Sequence, residues 1–233
     1  MGAEINGSVF IDRLSKNPKL KNLHDRAEKI VPVDAGHDFF HTRRVAILAA
    51  GIFEEEIQSR EKRSATASEL DACFASALMH DCVPVPKNSP LRKESARLCS
   101  EKAREWLKEL SWEEGTLELI CGAILDHSFS SGRIPSTLVG EALQDADRLE
   151  ALGALGLYRT IATGVSMGTL LFDPEDPWAE KRELDDRRFT IDHFFIKLLK
   201  LPEGFRTKSA RGEAQKRADF LRDFLANLKS EII

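Results

Sequence analysis

The spacing of apolar residues constrains this chain most. His41, Val45, Leu48 and Ile52 follow one another at steps of four, three and four, the recurrence of one helical face, with Arg43, Arg44, Glu54, Glu55 and Glu56 largely elsewhere. Between such stretches stand helix start and stop signals: Asn17-Pro18, Pro32, Thr66-x-x-Glu69, the group Pro84, Pro86 and Pro90, and Ser111-x-x-Glu114. No stretch of useful length alternates apolar and polar residues with a β-branched bias, and hairpin turn signals are absent. The pattern predicts an all-α fold, a helical bundle.

The predicted helices run from Pro18 to about Val31, from about His37 to Gln58, and from the Thr66 box to His80-Asp81. Others run from Ser89-Pro90 to about Leu110 and from the Ser111 box to about His127. A long helical region is expected from about Thr137 to Ala162, with a bend near Gly153 or Gly156. Two closing helices take roughly Ile191–Leu201 and Lys208–Lys229. Gly164 to Arg188 reads as irregular, and at that length as functional. A single domain is expected over residues 1–233, with about 164–233 as a lid or covering element of the same domain.

Charge narrows the partners. With 34 Lys+Arg against 38 Asp+Glu among 233 residues the chain is slightly acidic, which disfavours a nucleic-acid polymer held by bulk positive charge but leaves room for a local basic pocket. The four cysteines, Cys73, Cys82, Cys99 and Cys121, lack CxxC spacing and lie in apolar helical stretches, so they read as buried free thiols in a reducing compartment. No run reaches the length of a membrane helix and no signal-peptide pattern opens the chain. A cytoplasmic location without membrane contact is expected; oligomeric state is not readable.

Six histidines stand in a chemically suggestive relation to carboxylates. His37-Asp38 and His80-Asp81 are adjacent pairs, Asp126-His127 is a reversed one, and His41 lies one turn after His37. Asp145 and Asp147 flank Ala146 in an otherwise apolar stretch. Imidazole plus carboxylate suits a divalent cation of borderline hardness. The His80-Asp81 pair supplies two ligands if its proline-crowded helix end is irregular or Asp81 turns inward. His41 and Asp147 would then complete a four-residue set from three helices, and six-coordination would leave two positions for water or substrate.

These residues and their surroundings resemble the HD-domain metal-dependent phosphohydrolases, in particular a stand-alone bacterial subfamily of small HD hydrolases. The resemblance lies in the ordered blocks GHDFFHTRRVAILA, ALMHD, HSFS, QDADRLEALGALGLYR and DHFFIKLLKL. The stretches VPVPKNSPLRKESA and DPEDPWAEKRELDD belong to it too, so it spans about residues 20 to 230. It implies an HD-type helical bundle whose metal ligands are His41, His80, Asp81 and Asp147. Two positions depart from the subfamily: Glu150 stands where a second Asp is usual, and Ala210, before Arg211, where glycine is usual. Neither is a ligand position.

A cation held by two imidazoles and two carboxylates carries little net charge, so it accepts a phosphate oxygen and acidifies bound water. Asp81 is the expected catalytic proton acceptor and His127 the general acid or phosphate donor. Lys87 and Arg92, on the proline-rich loop after the His80-Asp81 pair, and Lys197, one turn after His193, are candidate phosphate contacts, and His37 a candidate substrate contact. Phe39, Phe40, Phe194 and Phe195 are expected in the core, His24 on a solvent-facing side, and Arg148 in a structural salt bridge.

The expected function is hydrolysis of a small phosphorylated metabolite, a nucleotide by resemblance, with triphosphates cleaved to monophosphate and pyrophosphate. The expected cofactor is one divalent metal ion, Mn²⁺ first, with Mg²⁺, Ni²⁺, Co²⁺, Zn²⁺ or Fe²⁺ as alternatives. A non-enzymatic nucleotide sensor on the same scaffold is one competing reading. A diiron oxygenase is another, although only His127 lies between Asp81 and Asp147 where two further histidines are usual. A zinc peptidase is disfavoured, because His37-Asp38-x-x-His41 has the shorter Asp where HExxH has Glu.

Overall fold

The structure, a computed structural model, describes residues 6–30, 39–85, 89–128 and 132–232, with Phe39 and Arg92 described by their backbone alone. Two compact units divide it, the first ending at Asp147 and the second running from Arg148. Among the described residues there are ten α-helices and no strand beyond one isolated bridge, the all-α fold that the periodicity predicts.

The first unit opens with a helix that the sequence reading passed over. In α1 (Gly7–Lys16) the Asn6 side chain accepts from Ser8 N (2.9 Å) and Val9 N (3.3 Å), and Phe10 and Leu14, one turn apart, are buried. Helix α2 (Pro18–Ile30) starts at the Asn17-Pro18 signal and buries Leu20, Leu23 and Ala27. Asp71 ties both helices to the bundle by accepting from Arg13 Nε (2.9 Å), a second Arg13 nitrogen (2.6 Å) and Asn17 Nδ2 (2.8 Å).

Helix α3 (Phe39–Glu61) buries Val45, Ala49, Ile52, Phe53 and Ile57. Helix α4 (Ala67–Met79) is buried at every position from Asp71 to Met79. An all-round buried helix belongs at the centre of a bundle, and α4 contacts α2, α3, α5 and α6. Its start is the expected capping box: Glu69 N donates to Thr66 Oγ1 (3.3 Å) and Thr66 N to Glu69 Oε2 (2.7 Å).

Two boundaries differ from expectation. The segment after Ser89 opens as a 3₁₀ turn, Pro90–Glu94, before α5 (Ser95–Glu109). Ser111 does not cap the next helix. It takes the left-handed conformation (φ 54°) and closes α5 instead, with Ser111 N on Lys108 O (2.9 Å) and Trp112 N on Leu107 O (3.0 Å). Glu113 therefore caps α6 (Glu114–Asp126), accepting from Gly115 N and Thr116 N at 3.0 Å each.

The long helix expected over 137–162 is two helices, α7 (Leu138–Leu149) and α8 (Gly153–Met167). Ala151 N and Leu152 N bond three residues back, and Gly153 takes φ +69°, which breaks the helix where a bend was expected.

In the second unit α8 contacts α9 (Thr190–Ile196) and α10 (Lys208–Glu231), and α9 is followed by a 3₁₀ stretch, Leu198–Gly204. The covering element expected from about residue 164 lies wholly in this unit. Residues 168–189 are irregular but firmly built. The Asp176 carboxylate accepts from Glu180, Lys181 and Arg182 N (2.9, 2.8 and 3.1 Å). Arg182 grips Asp192 with two bonds (2.5 and 2.9 Å), and its guanidinium lies over the Phe189 ring.

Phe194 is core, but Phe40 is 61% exposed and not core, because it sits on a helix face turned from the apolar stripe. His24 is not solvent-facing. It is half-buried against Phe10 (6.0 Å between centroids), with Nδ1 3.1 Å from Asp25. All four cysteines are buried free thiols. No helix among the described residues is long and apolar enough to cross a membrane.

Candidate metal centre

Helix α4 ends at His80, its C-cap residue, which keeps helical backbone angles (φ −61°, ψ −29°). There the imidazole folds back on the last turn, and Nδ1 lies 2.6 Å from Ala77 O. A carbonyl only accepts, so the proton sits on Nδ1 and Nε2 carries the bare lone pair. His80 is wholly buried, and Nε2 has no hydrogen-bond partner among the described residues. Burial lowers its affinity for a second proton; Asp81 and Asp147 oppose this and do not overcome it.

Three helices bring partners to that lone pair. His41, in the first turn of α3, is buried and puts Nε2 3.4 Å from Asp147 Oδ1. Asp147, near the end of α7, puts the same oxygen 3.9 Å from His80 Nε2. One ligand atom each from His41, His80 and Asp147 lies within 4.8 Å of the other two. Asp81 Oδ2 is 3.5 Å from His80 Nε2 but stands outside that mutually close trio. All four residues lie in the first unit.

Exposure is graded across the cluster. The His80 side chain is 0% exposed, that of Asp147 34% and that of Asp81 41%, so the imidazoles form its floor and the carboxylates its open edge. For both carboxyl groups desolvation works against ionisation. It is outweighed at Asp147 by the His41 hydrogen bond and by the positive charge that His80, His41 and His127 carry when protonated, which hold the carboxyl well below the usual range. At Asp81 the imidazoles of His80 and His127 have the same effect.

A bare nitrogen facing carboxylate oxygens at 3.5–3.9 Å, with no proton to share between them, is an arrangement of acceptors only. An unsatisfied buried acceptor costs on the order of 1–3 kcal/mol. Two imidazole nitrogens and carboxylate oxygens are also the donor set that borderline divalent cations take. The residues fit such an ion.

His127 repeats the His80 arrangement on α6. It is the C-cap residue with helical angles (φ −66°, ψ −33°), its Nδ1 is 2.6 Å from Ile124 O, and it is buried. Its ring meets that of His80 edge-on, 5.2 Å between centroids, while His41 and His80 are 5.6 Å apart.

Other predicted contacts divide differently. His37, Lys87 and the Arg92 side chain lie outside the described residues. Lys197 is exposed, at the end of α9 in the second unit, and His193 one turn earlier bonds Asp186 (2.8 Å). The Arg148 guanidinium donates to the Gly204 carbonyl. Sequence reading gave no role to Gln144, which is fully buried on α7 and donates from Nε2 to Asp126 O at 2.9 Å. A lone amide in an apolar stretch carried no signal of that partner.

Comparison with known proteins bears on the stretch of chain that carries this cluster. Residues 38–152 match the HD domain family model. The protein YpgQ of Bacillus subtilis (strain 168) is 29% identical over 202 residues, 85% of each chain. The crystal structure of Bacillus subtilis YpgQ in complex with ADP is similar at a TM-score of 0.67 and 25% identity, over 92% of this chain and 95% of that one. An HD-superfamily hydrolase from Bacillus thuringiensis gives 0.63 and 28%, over 94% and 96%. HD domains bind divalent metals. The matched span includes the helices that carry His41, His80 and Asp147, and the chain has the HD-domain helical fold.

Proposed function

We propose that this protein is a metal-dependent phosphohydrolase acting on a nucleotide, and that nucleoside triphosphates are cleaved to monophosphate and pyrophosphate. The observation that carries it is the orphaned Nε2 of buried His80 beside the carboxylates of Asp81 and Asp147. His41, His80, Asp81 and Asp147 hold the ion. When bound, a divalent cation polarises a phosphoryl oxygen and acidifies the attacking water. Mn²⁺ is the proposed ion, on the family resemblance. The nucleotide is supported by the relative crystallised with ADP.

The chain's own groups divide the remaining work. Nδ1 bonds to helix carbonyls fix the tautomers of His80 and His127, so neither ring needs to reorganise during reaction. Asp81, the more exposed carboxylate at 41%, accepts the proton of the attacking water. His127, once protonated on Nε2, donates to a phosphoryl oxygen or the leaving group. Buried imidazoles behind and accessible carboxylates in front let substrate approach from one side.

The test is a screen of nucleotides with Mn²⁺, Mg²⁺, Co²⁺, Ni²⁺ and Zn²⁺, reading orthophosphate and pyrophosphate separately. Pyrophosphate without orthophosphate from triphosphates is expected. Orthophosphate alone would replace triphosphate cleavage with a phosphatase activity. No release with any of the five metals would overturn hydrolysis.

A further inference from the structure

We infer that Gln144 is a positioning residue for His127, locking the end of α6 to the helix that carries Asp147. This rests on the proposed role of His127 at the same centre as Asp147. Gln144 is 0% exposed and lies on α7 three residues before Asp147. Its Nε2 donates to Asp126 O at 2.9 Å and reaches Arg133 O at 3.5 Å. Asp126 is the last residue of α6 and His127 its C-cap, so that bond holds the peptide unit from which the His127 side chain springs.

The Asp126 carbonyl lies in the last turn of its helix, where the helix itself provides no donor. Gln144 supplies one across the bundle. The contact between the helices is close elsewhere too, since a Cβ on Gly140 of α7 would stand 3.6 Å from the Ala123 Cα of α6. Asp126 is held a second way, its carboxylate accepting from Arg133 Nε at 2.8 Å. An amide hydrogen bond between neighbouring helices thereby helps to hold His127 at its distance from Asp147. Removing the donor while keeping the volume should loosen the imidazole and leave the cation's ligands in place.

The experiment compares Gln144→Met, His127→Ala and the double variant in the full chain. Gln144→Met alone is expected to lower kcat about tenfold, because misplacement by a fraction of an ångström is felt in the chemical step. KM and Mn²⁺ affinity should stay near wild type. In the His127→Ala background the same substitution should have no further effect, whereas losses that simply multiply would overturn the inference.

A second readout needs no activity. In the metal-free protein the His127 ring resonances should shift or broaden in Gln144→Met, while those of His24 and His193 stay in place. An unchanged His127 signal would overturn the inference. Should the Met variant fail to fold, Gln144→Leu also removes the donor at similar volume and is read the same way. If the wild type hydrolyses no nucleotide, the proposed function falls, and the His127 resonance alone still decides the role of Gln144.

Discussion

His80 and His127 meet edge to face, 5.2 Å between ring centroids and 83° between ring planes, and each is fastened by Nδ1 to a carbonyl three residues back in its own helix. Two helix ends thus deliver two imidazoles of the same tautomer to one place. Their duties differ, and substitution should separate them. His80→Ala is expected to abolish both Mn²⁺ binding and turnover. His127→Ala should keep Mn²⁺ affinity within a few-fold while turnover falls about 100-fold or more. Calorimetric metal titration alongside steady-state kinetics checks the pair; equal loss of metal affinity in both would make His127 a ligand.

Asp147 Oδ1 lies within 4 Å of both His41 Nε2 (3.4 Å) and His80 Nε2 (3.9 Å). Asp147→Asn keeps the shape and removes the charge, so Mn²⁺ affinity should fall at least about tenfold. Because an ion that binds only the folded state stabilises it, Mn²⁺ should raise the wild-type melting temperature and leave that of Asp147→Asn almost unmoved. Equal shifts in both would remove Asp147 from the ligand set.

The cap that starts α4 makes a prediction in pH. Two bonds from Arg63, then the backbone and hydroxyl of Thr66, hold the Glu69 carboxyl down to about 2 against partial burial. A carboxylate whose folded pKa is depressed contributes stability above its unfolded pKa and loses it as pH falls toward the folded value. Glu69→Gln should therefore cost on the order of 1 kcal/mol at neutral pH, the pairing with Arg63 being screened by solvent. The gap between the two proteins in urea unfolding should narrow as pH drops from about 5 to about 3. A gap that widened on acidification would contradict the assignment.

Gly153 combines φ +69° with a crowded neighbour, since an added Cβ would meet Arg217 Cγ at 3.2 Å. Gly153→Ala should destabilise the protein by about 1 kcal/mol or more. Thermal unfolding checks it, and an unchanged or raised melting temperature would show that the break between α7 and α8 tolerates a side chain.

Local signals in the sequence went far. Thr66-x-x-Glu69 and Asn17-Pro18 mark helix starts that the structure shares, because a cap depends on residues within one turn. Ser111-x-x-Glu114 has the same spelling but terminates α5, since two of its amides, Ser111 N and Trp112 N, bond to carbonyls of the preceding helix. Asn6 was overlooked because its helix carries only two buried residues, Phe10 and Leu14. The trio His41, His80 and Asp147 was legible as chemistry, but Gln144 was not, because its partner is a carbonyl on another helix and carbonyls leave no trace in a sequence.

Because His80 hangs from the carbonyl of Ala77 and His127 from that of Ile124, helix phase acts as the ruler for this centre. Lengthening α4 by one residue ahead of Ala77 would swing the terminal imidazole by about 100° around the axis. Its fastening would travel with it intact, and the lone pair would face the wrong way. Drift in the count of residues along these two cylinders is therefore far less tolerable than drift in the identities of residues on their outer surfaces.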